Sequence, residues 1–407
     1  MKSWFLSCVV VLVIVAMAFA SLLGSESGGA EWRQAVRWAE ERQRQWQGDG
    51  CPVLQGDPGP GCSYEVYREA ARLAAALPRS VRDRIAALTE DAPQVGAAAA
   101  TERSTDAAID DELIAAVAPI VAEVRRGTRR MLDVSPETPR FGRADGDMID
   151  VIDMRDAMLA VRVTMRGLSS RDAVAATELW IDAMAAALDL GSAGVGVESL
   201  IGYMALQEFV EELGDDWLRG CGRPVLASLL AALQGQDERP VPARGFFECD
   251  LVGLIAFVED RPSLSFSDIG VGDPWEIVRH SFSARACIES RVVARLEALR
   301  LAELRASPAA SWPARKAALE FVAASERASP YSHFMAPVSS EPELLVRKAR
   351  AALSQLQQAV AFHLGLAVPE LPDPLGDAAL KIEIDGDEAV FTSAEPAVRR
   401  AAVRRAR

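Results

Sequence analysis

Val151, Met154, Met158, Val161 and Met165 follow one another at intervals of three, four, three and four residues. That spacing puts them on one stripe of a helix but on both faces of a strand, so the segment can bury them together only as a helix. Thr177, Ile181, Met184 and Leu188 repeat the pattern, after a Ser169–Asp172 pair that resembles a capping box with Asp in place of Glu. Tyr203, Leu206, Val210, Leu213 and Trp217 form a third stripe, and shorter apolar helices are expected near Val225–Leu233 and Leu251–Val258. A longer one is read from about Trp275 to Arg305. Ser311-Trp312-Pro313 opens the next, with proline where a missing N–H costs little. Ser340-Glu341-Pro342-Glu343 reads as a capping box starting a helix that runs to about Leu364 and stops at Gly365.

The chain is therefore expected to be mainly all-α, a multi-helix array of antiparallel helix pairs. A layered array resembling tetratricopeptide stacks comes first and an irregular bundle second, because the connections are mostly short and no fixed repeat period stands out. Two connections are longer, Leu132–Gly146 and Ser263–Asp273. Only near the end does the period change: Leu380, Ile382 and Ile384 alternate with charged residues, and Asp385-Gly386 is a turn signal. Residues Ala389 to Ser393 can return as the second strand of a small C-terminal β-hairpin. An isolated hairpin is marginal in water, so it should lie against the helix ending near Leu364. The tail after Pro396 holds Arg399, Arg400, Arg404, Arg405 and Arg407 and reads as a solvated, frayed helix.

Residues Trp4 to Leu23 form a second constraint, an uncharged and mostly apolar run behind Lys2. As a helix, about 20 residues span roughly 30 Å, the hydrocarbon thickness of a bilayer. Ala18-Phe19-Ala20 also has the small-x-small form of a signal cleavage site. An uncleaved anchor and a cleaved signal both export the bulk of the chain, so the expected address is the cell envelope. In the first case the body is periplasmic and held to the inner membrane by the N-terminal helix; in the second it is secreted. Cys51 and Cys62 bracket a loop of three glycines and three prolines. In an oxidising compartment a disulfide between them would stabilise the fold by about 2–3 kcal/mol. Cys221, Cys249 and Cys287 sit in or beside apolar helical stretches and are expected to be buried thiols.

Charge narrows the partners. With 44 basic against 58 acidic side chains the chain carries a net −14, which argues against nucleic acid, whose binding needs a basic face. Forty of the basic residues are arginine and asparagine is absent, a skew typical of a G+C-rich coding sequence, so single arginines carry little meaning. The three histidines lie outside any H-E-x-x-H pattern. The one Gly-x-Ser-x-Gly-like string, Gly24 to Gly28, has Glu at its centre. No lysine follows a glycine, which removes the P-loop, and no serine stands three residues before a lysine. Asp385-Gly386-Asp387 is too tight for a calcium loop. The densest polar group is Asp145, Asp147, Asp150, Asp153 and Asp156, best read as carboxylates complementing a helix N-terminus. No catalytic, cofactor or metal residue is assigned.

His363-Leu364-Gly365 followed by Pro369 resembles the glycine-then-proline exit from the long helix of a type II secretion pseudopilin. Asp373-Pro374-Leu375-Gly376 and the strand Val390-Phe391-Thr392-Ser393 are similar to that family's Asp-Pro-x-Gly segment and final strand. The likeness covers roughly residues 345–393, within an ordering that resembles uncharacterised bacterial envelope-anchored helical proteins. No prepilin signal accompanies it, and it implies no catalytic residues.

The expected organisation is an anchor or signal over 1–23, a linker with the disulfide-closed loop over 24–62, a helical domain over 63–366, a β-hairpin segment over 367–394 and an Arg-rich tail over 395–407. The function expected of it is non-enzymatic: a membrane-anchored periplasmic helical protein that binds or scaffolds a protein partner. The rival expectation is an envelope hydrolase or metal-dependent enzyme using the aspartates of 145–156 with His280.

Overall fold

Several helices begin where the sequence supplies an acceptor for the free N–H groups of a first turn. Asp110 does this for the helix Asp111–Thr128: its backbone is extended and its carboxylate accepts from the Leu113 N–H at 2.8 Å. Asp111 and Glu112 at that end, and Arg125 and Arg126 at the other, complement the helix dipole. The computed structural model describes residues 29–42, 44, 63–90, 109–130, 151–169, 171–193, 197–237, 246–261, 263–264, 283–307, 310–327, 340–395 and 398–404.

In chain order these hold α1 (29–42), α2 (Ser63–Ala75), α3 (Arg79–Glu90), α4 (Asp111–Thr128), α5 (Val151–Ser169), α6 (Ala173–Ala193) and α7 (Val197–Glu212). There follow α8 (Asp215–Gly220), α9 (Arg223–Asp237), α10 (Phe246–Glu259), α11 (Ala284–Arg305), α12 (Trp312–Arg327) and α13 (Glu341–His363). Strands β1 (Lys381–Asp385), β2 (Glu388–Thr392) and β3 (Arg399–Arg404) close the order, so the protein is mostly helical with a small antiparallel sheet.

Two apolar cores share one helix. The first gathers α2 to α9 around Tyr67, Ile120, Met154, Trp180 and Phe209, all fully buried. The second gathers α1, α10, α11 and α12 around Trp32, Leu251, Ile288 and Leu319. Helix α13 belongs to both: Leu353, Leu356 and Val360 face the first and Ala351 faces the second. The array of successive pairs gives way to a bundle. Helix α2 packs on α4 and α5, and α13 on α7 and α9, whereas stacked repeats touch only their neighbours. Residues 29–42, within the stretch read as linker, form α1 and dock in the second core through Trp32, Ala35 and Ala39.

The stripes at Val151–Met165 and Thr177–Leu188 lie within α5 and α6 as expected. Their junction is built differently. Ser169 ends α5 with its hydroxyl on the Arg166 carbonyl, and Asp172 alone caps α6 by accepting from the Val174 and Ala175 N–H groups. The third stripe is divided, since α7 ends at Glu212 and Trp217 belongs to α8. The helix read from about Trp275 starts at Ala284, where the Ser283 hydroxyl accepts from the Ala286 N–H. Helix α13 has its expected length and ends before Gly365, whose φ of 69° is the left-handed geometry that glycine permits. Its start is not a capping box: Ser340 makes no side-chain cap, and Glu343 turns instead to Arg315 and Arg347.

The hairpin forms as read, with Gly386 at φ 58° in the turn and pairing from Asp385↔Glu388 to Lys381↔Thr392. It rests on α13 through an edge-on contact of Phe391 with Phe362, ring centres 6.5 Å apart. The tail differs from the frayed helix expected. Residues Arg399–Arg404 pair antiparallel with β2 as a third strand, because Val403 and Val398 on that segment are apolar and both are buried. Among the described residues no helix is long and apolar enough to cross a membrane, and the Trp4–Leu23 run lies outside them.

Candidate functional site

The candidate site is a cleft of about 660 Å³ between Ala310 and Ser311 just before α12, Arg347 in the second turn of α13 and the loop 370–379. Its floor follows from one side chain. Arg347 projects from α13 toward the loop, where its guanidinium donates to the Pro374 carbonyl at 2.8 Å and the Ala310 carbonyl at 3.2 Å. It also pairs with Glu343 one turn earlier at 3.0 Å and lies over the Trp312 ring, 5.4 Å from its centre. Glu343 is shared, since Arg315 on α12 donates to its other oxygen at 3.0 Å and to the Ala306 carbonyl at 2.8 Å. Two arginines and one carboxylate thus fix three chain segments around the cleft. Charge-assisted bonds of this kind are about twice as strong as neutral ones.

The far wall is the Asp373-Pro374-Leu375-Gly376 segment. The buried Asp373 carboxylate accepts from the Leu375 N–H at 2.9 Å, the Ser393 hydroxyl at 2.8 Å and the Ala394 N–H at 2.6 Å. It latches the loop to the end of β2. Gly376 sits where a Cβ would meet Ala394 at 3.1 Å and the Asp373 carboxylate at 3.2 Å. Glu370 and Asp377 stand exposed at the rim, and Ser311 supplies a hydroxyl. Such a cleft offers backbone amides, carboxylates and a hydroxyl for hydrogen bonding. Its guanidinium and its buried carboxylate are both engaged in holding the walls.

Deeper in the first core two carboxylates on α6 are wholly buried. Asp182 accepts from Arg125 at 2.8 Å and Thr128 at 3.2 Å on α4 and pairs with Arg129 at 3.2 Å. Burial pushes its carboxyl above the usual value despite these arginines. Two turns on, Asp189 accepts from the Tyr67 hydroxyl at 2.6 Å. Across α5 and α7, Arg162 donates to Glu212 at 2.7 Å and Glu208 at 2.8 Å. Arg166 also grips Glu212 and donates to the Leu88 carbonyl at 2.5 Å. Here the arginines win: desolvation raises the Glu212 carboxyl, but the bonds and charges of Arg166 and Arg162 together hold it below its usual value.

None of these residues figured among the sequence candidates. A charged residue on an otherwise apolar helix, such as Asp182 or Arg162, is the signal that could have found them. Of the acidic cluster, Asp153 and Asp156 lie on α5; Asp145, Asp147, Asp150 and His280 lie outside the described residues, as do Cys51 and Cys62. His363 is buried at the end of α13. Cys221 is a buried free thiol, its pKa raised by that burial while the Thr177 side chain bonded to it pulls the other way. No group of three His, Cys, Asp or Glu among the described residues is placed to hold a metal ion. A scan of protein-family models, a search of curated proteins and a search of solved structures each find no match to this chain.

Proposed function

We propose that this chain is a non-enzymatic helical protein of the bacterial envelope, anchored by its N-terminal helix, with a periplasmic body that binds or scaffolds a protein partner. The observation that carries the reading is how the charges around the cleft are engaged. Arg347, Arg315, Glu343 and Asp373 each tie one chain segment to another, which builds a rigid, polar docking surface. Chemistry on a substrate would ask for a group left unengaged and tuned in pKa. The apolar run Trp4–Leu23 supports the anchor, and the Cys51–Cys62 loop suits an oxidising compartment. The likeness of residues 345–393 to a pseudopilin end supports an envelope setting and supplies no role in assembly.

The test joins address to contact. Cells expressing the full chain are fractionated, and the body is probed with protease before and after the outer membrane is opened. A photo-crosslinking residue then replaces Ser311 or Asp377 at the cleft, or Arg171 on α6's side of the body. The chain is expected to stay with the membrane, to be cut only after opening, to carry a Cys51–Cys62 disulfide and to capture one protein from the cleft positions alone. A cytosolic chain with free thiols at both positions, or identical labelling from all three sites, overturns the reading.

A further inference from the structure

Among the described residues strand β1 forms one edge of the sheet order β1-β2-β3 and is paired on one side alone. Lys381, Glu383, Ile384 and Asp385 are exposed along it, and Ile384 keeps 53% of its surface in water. The direction of its backbone groups follows from the turn. Asp385↔Glu388 closes a two-residue loop, so these two residues exchange hydrogen bonds. Strand alternation then turns the N–H and C=O of Ile382 and Ile384 away from β2. The Leu380 N–H, two residues earlier on the same side, donates outward to the Leu371 carbonyl at 2.9 Å. The open edge therefore begins after Leu380.

We propose that this edge is the seam of a symmetric dimer, with β1 pairing antiparallel to β1 of a second copy about a two-fold axis at Glu383. In that register Ile382 and Ile384 each face their counterpart, Ile384 and Ile382, and exchange main-chain hydrogen bonds. Lys381 faces Asp385 of the second copy on both sides of the axis. Neighbouring registers fail. Centring on Ile382 needs the Leu380 N–H, which Leu371 already holds, and centring on Ile384 sets Glu383 against Asp385 twice, where the Glu383-centred register has one like-charge pair, at the axis, and two Lys381–Asp385 pairs. Glu383 meets its own copy at the axis, each beside the Lys381 ammonium of its own strand at 2.5 Å. The order Lys-Ile-Glu-Ile-Asp is thus complementary to itself when reversed, which is why the occupant is a second copy. The exposed Ile384 gains apolar cover in the same step. A seam of one short strand falls below the roughly 1,200 Å² of a tight interface, so the dimer depends on concentration.

The test uses the full chain in detergent, with sedimentation velocity across a wide concentration range. A monomer–dimer equilibrium is expected. Lys381→Asp or Asp385→Lys alone sets like charges opposite each other twice and should weaken the dimer by about tenfold or more. The double reversal restores the pairs and should restore the affinity, which a folding defect would not do. Ile384→Pro removes an outward donor, leaves the β1–β2 ladder intact and should abolish pairing. At a non-hydrogen-bonded pair the Cα atoms are about 4.5 Å apart, within disulfide reach, so Glu383→Cys should oxidise to a covalent dimer. Asp387→Cys, in the turn, should behave like the unaltered chain. A chain monomeric at every concentration overturns the proposal and leaves the edge to a strand of another protein. A dimer indifferent to both charge reversals and to Ile384→Pro overturns it as well. The inference stands apart from the scaffolding role, so either can fail alone.

Discussion

The Tyr67 hydroxyl donates to the Asp189 carboxylate at 2.6 Å in the interior of the first core, linking α2 to α6 across 122 residues of chain. The ring that carries the hydroxyl packs on Gly127, where an added Cβ would come within 2.4 Å of it. Tyr67→Phe keeps this packing and removes one donor from a buried carboxylate. It should destabilise the protein by about 1–3 kcal/mol, read as a lower urea midpoint at unchanged slope. A midpoint equal to that of the unaltered chain would show that Asp189 does not depend on this bond.

Helices α6 and α7 approach closely at Gly202, where a Cβ would meet the Gly191 nitrogen at 2.4 Å and the Ala187 carbonyl at 2.6 Å. Both contacts are backbone, so neither yields by rotating a side chain. Gly202→Ala gains helix propensity but forces the two axes apart, and a net loss of about 1–3 kcal/mol is expected. Among the described residues, no atom beyond Gly220's own turn of α8 lies within 4 Å of such a Cβ there. Gly220→Ala should therefore be neutral or mildly stabilising in the same denaturation assay.

Asp182 and Glu212 should respond to pH in opposite senses. Burial raises the Asp182 carboxyl above its ordinary 3.8, so the folded state keeps that proton longer than the unfolded chain does. Its contribution is fully present below about pH 3.8 and is lost as pH rises through the folded value. Glu212 is held below its ordinary 4.5, so its contribution is present above that pH and is lost on acidification. At neutral pH Glu212→Gln should cost about 2–4 kcal/mol, because Arg162 is left buried without its nearest carboxylate. That cost should shrink toward pH 3, whereas the cost of Asp182→Asn should shrink as pH rises. Parallel pH profiles for the two variants would contradict this assignment.

Asp373 holds three donors, so Asp373→Ala leaves the Leu375 and Ala394 N–H groups and the Ser393 hydroxyl without their acceptor. A loss of about 2–4 kcal/mol is expected, together with new protease cleavage within residues 370–379 under native conditions. Asp373→Asn retains an acceptor oxygen and should fall between the two.

The helices legible in the sequence are those with a one-sided apolar stripe, such as α5. Turn chemistry was equally readable at Asp385-Gly386 and at Gly365. What escaped was set by partners distant in the chain. Ser340 and Glu343 have the spacing of a capping box, but Arg315 and Arg347 offer Glu343 a charged partner, which outcompetes a neutral backbone N–H. Arg399 to Arg404 look like a solvated helix in isolation; β2 presents them with an open edge, and two valines make docking favourable. The cleft was half legible, since the Asp373 motif stood out while Arg347, one arginine among forty, did not.

Because α13 supplies one wall to each core, neither core is complete until residues 341–363 have joined it. Among the described residues this helix follows all the others in chain order, and the sheet that buttresses it follows in turn. Closing either core therefore depends on a helix far along the chain from the helices it joins, a non-local contact of the kind that slows folding.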